Sequence, residues 1–80
     1  MKEKTHGDKL VGKGFNPSGL ARVDRVKDLY AKVIDELADY HSTACMTEND
    51  RTRNRMLEIA TEKAIEAEMW AVKGLTFGRS

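Results

Sequence analysis

The sequence predicts an all-α protein: an antiparallel helical hairpin with a flexible N-terminal arm, assembling into a helical oligomer. Two observations predict the helices. Apolar residues recur at spacings of three and four along two long stretches, and one proline interrupts 80 residues that are 40% hydrophobic and 34% charged, too apolar for disorder. A third observation predicts the assembly. So short a chain buries a smaller share of its surface than a larger domain, so its stability alone is marginal and self-association would add to it.

Residues 1–14 read as a basic, flexible arm. They run into VGKGFNPSG, residues 11–19, which combines three glycines, a lysine, an aromatic ring and an Asn-Pro turn. Within it Asn16-Pro17-Ser18-Gly19 forms a turn, because proline keeps the residue before it out of the helical region and glycine commonly closes such turns. Helix one follows over about 20–40, with Val23, Val26, Tyr30, Val33, Leu37 and Tyr40 on one stripe and Leu29 and Ile34 beside it. HSTACMTEND, residues 41–50, breaks that pattern and offers Thr47, Asn49 and Asp50 as N-caps.

Helix two is expected over about 50–73, a run without Gly or Pro that stops at Gly74 as its C′ residue. Leu57, Ala60, Ala64, Ala67 and Ala71 form a narrow stripe of mostly small residues that lets another helix approach closely. Met56, Ile59, Ile65, Met69, Trp70 and Val72 lie off it, and one partner helix cannot cover both faces. The second face is therefore expected to meet other subunits. Residues 15–77 make one domain, and 78–80 are a tail.

Net charge is +1, but the signs are segregated: +4 over residues 1–27, −5 over 28–50, +3 over 51–55 and −1 over 56–80. A hairpin brings Arg51, Arg53 and Arg55 beside Asp35, Glu36 and Asp39, where mutual pairing is expected. At the other end Lys13, Arg22, Lys27 and Lys73 converge next to VGKGFNPSG with few acids nearby. A pI of about 7.9 argues against duplex nucleic-acid binding, which needs a broad basic face. A small anion needs only a local patch. With the single cysteine, Cys45, no internal disulfide can form, which fits a reducing cytoplasm. Neither a signal peptide nor a membrane span is legible.

No enzyme, cofactor or metal site is legible either. His6 lies in a polar stretch, and His41 with Cys45 supplies two ligands where a closed zinc site needs four. No nucleophile stands at a recognisable spacing from a base. The glycine leader lacks the G-x-x-x-x-G-K-[ST] pattern and a preceding strand, so its residues fit an ordinary flexible loop as well as a phosphate cradle. Phe15 fits a hydrophobic staple for helix one or a ring that stacks on a purine. Lys27 fits a solvated helix position or a phosphate contact.

Phe15-Asn16-Pro17-Ser18-Gly19, then Val23-Asp24 with Val26-Lys27, then Met69-Trp70-Ala71-Val72-Lys73 resemble, in this order, the phage-encoded cyclic-oligonucleotide sponges that disarm CBASS immunity. Those proteins share a helical-hairpin domain with the Thoeris anti-defence sponges, and the resemblance covers roughly residues 14–77. It implies a non-catalytic cytoplasmic protein, typically a hexamer, that holds cyclic dinucleotides such as 3′,3′-cGAMP at subunit interfaces. Cyclic trinucleotides occupy separate sites in some members. On this resemblance Phe15 stacks on a base, Asn16 and Ser18 make polar contacts at the same turn, and Lys27 meets a phosphate, with Lys13, Arg22 and Lys73 nearby. Phe15 stands where a tyrosine would add a hydroxyl, which keeps stacking and removes one hydrogen bond. Arg53 and Arg55 are candidates for a trinucleotide, in competition with their acidic neighbours. Two other readings remain: a helical adaptor that binds a host protein through the second apolar face, and a weak nucleic-acid binder that uses the lysine-rich N-terminus.

Overall fold

The computed structural model describes residues 3–41 and 47–78; Cys45 of the expected interhelical break and the end of the tail lie outside them. The described chain is all-helical: α1 spans His6–Val11, α2 Ala21–Tyr40 and α3 Glu48–Thr76. α1 falls within the stretch expected to be a flexible arm. Thr5 caps it, its hydroxyl accepting from the Asp8 N–H while the Asp8 carboxylate accepts from the Thr5 N–H, so two free helix-end donors are satisfied. Gly12 then ends the helix in the left-handed region at φ 69°, where glycine carries no side-chain penalty.

α1 docks on α2 through Gly7, whose N–H donates to the Asp35 carboxylate at 2.7 Å. The approach is so close that a Cβ on Gly7 would run into the carbonyl oxygen of Ala31. Val11, Ala31 and Ile34 form the buried cluster, with Tyr30, Ala64 and Ile65 packed against it. This docking turns α2 away from the expected stripe. Its buried residues are Val23, Lys27, Ala31 and Ile34, while Val33 and Tyr40 are exposed.

α3 is also longer and differently turned than expected. Thr47 caps it reciprocally with Asp50, and the helix runs through Gly74 to Thr76. The left-handed glycine after its end is Gly78, at φ 80°. Ala60 and Ala67 of the expected small-residue stripe are exposed, and Asn54 and Glu68 are buried instead, with Ala64, Ile65 and Val72 half-buried. Polar residues thus occupy inward positions that a search for apolar spacing passes over. The three helices form a slab of 51 × 30 × 12 Å, one helix diameter thick. Leu29, Met56, Met69 and Trp70 remain exposed on it.

Candidate functional site

The turn that leads into α2 is built by side chains as well as backbone. The Asn16 amide donates to the Leu20 carbonyl at 2.9 Å, the Ser18 hydroxyl donates to Asn16 Oδ1 at 2.6 Å, and the Leu20 N–H donates to Ser18 Oγ at 3.2 Å. Gly19, at φ 70°, closes the turn with its N–H on the Asn16 carbonyl. The polar atoms of Asn16 and Ser18 therefore already shape the turn, and it presents Phe15 with 71% of its surface exposed.

Lys27 projects from α2 beneath this segment, 6% exposed. Its ammonium donates to the carbonyls of Gly12, at 3.2 Å, and Phe15, and stands 5.6 Å from the centre of the Phe15 ring. One buried cation thus ties the end of α1 to the loop and to the aromatic ring. Across from it lies Glu68 of α3, 5% exposed. Burial pushes the Glu68 carboxyl above its ordinary pKa, and the attraction of Lys27 offsets only part of that shift.

These groups line one cavity of about 1020 Å³ between α1, the loop, α2 and α3. Its apolar wall includes Leu10, Val23, Met69 and Val72, and Asn16 and Ser18 border it. Polar and apolar groups share its lining almost equally, so it can offer both a stacking surface and hydrogen bonds to a small molecule. Four of the residues singled out in the sequence, Phe15, Asn16, Ser18 and Lys27, meet here.

The other candidates do not line it. Lys13 pairs with Asp8 at 3.5 Å and Asp28 at 3.2 Å, and its hydrogen bond to Asp28, followed by the attraction of Asp8, raises its pKa. Arg22 is exposed on the first turn of α2. Lys73 stands 5.2 Å over the Trp70 ring on α3. Arg53 pairs with Asp50 and stacks over Tyr40 at 5.7 Å, and Arg55 pairs with Glu58 and Glu62 at 3.5 and 3.8 Å. Among the described residues Arg53 and Arg55 pair along α3 rather than with Asp35, Glu36 and Asp39 of α2, because residues three apart on one helix are already neighbours. His41 bonds Glu58 at 3.0 Å, and this contact is the largest of those that lower the Glu58 pKa.

Sequence reasoning missed α1 and Glu68 as parts of the site. Both carried a signal: Thr5-x-x-Asp8 is a capping pattern, and Glu68 falls four residues after Ala64 and four before Val72, a carboxylate inside an apolar row. No protein family, curated protein or solved structure matches this chain.

Proposed function

We propose that this protein is a cyclic-oligonucleotide sponge: it binds cyclic dinucleotides such as 3′,3′-cGAMP without transforming them and keeps them from the effectors of CBASS immunity, in the cytoplasm of an infected bacterium. The observation that carries the reading is the exposed Phe15 ring at a large cavity of mixed polar and apolar lining with the Lys27 ammonium beside it. Purine faces stack on such rings, and a dianion is drawn to a cation held in low dielectric. On this reading α2 and α3 form the antiparallel hairpin of the sponge domain, and a second copy closes over each cavity in a hexamer. The 12 Å slab supports it, since a single layer leaves both broad faces open to a partner. Arg53 and Arg55 lie outside the cavity, so a cyclic trinucleotide would take a separate site on α3.

Thermal melting with and without 3′,3′-cGAMP tests the proposal. Ligand at 100 times its dissociation constant adds about 2.7 kcal/mol to stability, and the melting temperature rises accordingly. A cyclic trinucleotide, melted in the same way, tests the second site. Unchanged melting with every cyclic di- and trinucleotide rejects the sponge. It would favour the adaptor reading, which the exposed Met56, Met69 and Trp70 face of α3 also supports.

A further inference from the structure

Lys27 and Glu68 are both buried at the cavity, yet they are engaged differently. The Lys27 ammonium donates to two backbone carbonyls, whereas no hydrogen bond reaches the Glu68 carboxyl among the described residues. A carboxylate kept only as the counter-charge of Lys27 would be expected to hydrogen-bond it. Instead Glu68 lines the cavity with its oxygens turned to solvent and no protein donor on them, and a ligand that displaces that water must donate to them in its place.

We infer that Glu68 reads the base of the bound nucleotide and selects guanine over adenine. The inference rests on the proposed sponge reading, since it concerns the same cavity. An ionised carboxylate only accepts, through two oxygens side by side. The guanine edge offers two adjacent donors, N1–H and the N2 amino group, and satisfies both oxygens. Adenine offers one donor, the N6 amino group, next to the N1 lone pair, so one carboxylate oxygen would face another acceptor. Phosphates are repelled by Glu68, which leaves a base edge as the part of a nucleotide suited to this wall. Phe15 lines the same cavity and supplies the stacking surface, while Glu68 supplies the discrimination.

Cyclic di-GMP and cyclic di-AMP share one backbone and differ only in the bases, so calorimetric titration of the wild-type protein with each isolates the effect. Cyclic di-GMP is expected to bind roughly tenfold or more tightly, because a lost charge-assisted hydrogen bond leaves a buried acceptor unpaired. Glu68→Gln presents one acceptor and one donor, the complement of adenine. It should weaken cyclic di-GMP and narrow or reverse the preference, whereas Glu68→Asp should keep the preference for guanine. Equal wild-type affinities, a preference for cyclic di-AMP, or a Glu68→Gln effect equal for both ligands would overturn the role of Glu68 and leave the sponge intact. Binding of neither ligand, nor of 3′,3′-cGAMP, would overturn both. If Glu68→Gln fails to fold, equal wild-type affinities or a preference for cyclic di-AMP still overturn the role, and Glu68→Asp, which moves the carboxylate, supports it by weakening cyclic di-GMP more than cyclic di-AMP.

Discussion

Lys27 is the residue whose placement most changes its meaning. Read as a solvated helix lysine or a phosphate contact, it would leave the unliganded protein unaffected when replaced. Buried and bonded to the carbonyls of Gly12 and Phe15, it is a fastener between α1, the loop and α2. Lys27→Met keeps much of the apolar stem but orphans the Phe15 carbonyl, while the Gly12 carbonyl keeps the Phe15 N–H, so it should destabilise the ligand-free protein by about 1–3 kcal/mol, read by thermal or urea unfolding. An unchanged stability would mean that the ammonium is free to serve the ligand alone. If the fastener role holds, the third donor of the ammonium is the one left for a phosphate, and it belongs to a cation already tied to the loop.

At the scale of elements, two glycines make opposite predictions. Gly7 lies where α1 touches α2, and a Cβ there meets the Ala31 carbonyl group and comes within 2.9 Å of the Asp35 carboxylate. Backbone cannot yield as a flexible side chain does, so Gly7→Ala should cost about 1–3 kcal/mol in unfolding experiments by forcing the helices apart. No cost would mean that α1 is not seated on α2. Gly74 has nothing within 4 Å of an added Cβ and lies inside α3. Gly74→Ala should therefore stabilise by about 0.5–1 kcal/mol, as alanine does in an exposed helix interior. The sequence reading, in which Gly74 ends the helix in a left-handed conformation, predicts destabilisation instead, and the sign of the measured change separates the two.

For the whole molecule, the decisive feature is the thickness of 12 Å. A slab one helix deep has little interior, which is why the buried apolar set among the described residues is Val11, Val23, Ala31 and Ile34. Trp70 and Met69 on α3, with Leu29 and Val33 on α2, remain largely in solvent. Such a surface on so small a core predicts self-association. Light scattering or sedimentation at micromolar concentration should give a mass above that of one chain, six chains on the sponge reading. Trp70→Ser should lower that mass if the α3 face is the contact. A monomeric wild-type mass would reject the assembly and with it a site shared between copies.

Helicity, the start of α2 after an Asn-Pro-Ser-Gly turn and the start of α3 near Thr47 were legible in the sequence, because local propensity, turn chemistry and capping act within a few residues of one another. So was the grouping of Phe15, Asn16, Ser18 and Lys27, which lie within 13 positions and on one turn and the helix that follows it. The rotation of each helix was not, because the inward rows contain Lys27, Asn54 and Glu68, and whether a polar residue faces inward depends on groups distant in sequence. Lys27 finds carbonyls 12 and 15 residues away, and Gly7 finds Asp35 across 28. The same holds for the site: the turn and its aromatic ring were set locally, but the Glu68 wall and the burial of Lys27 exist only once α1 and α3 have packed against α2.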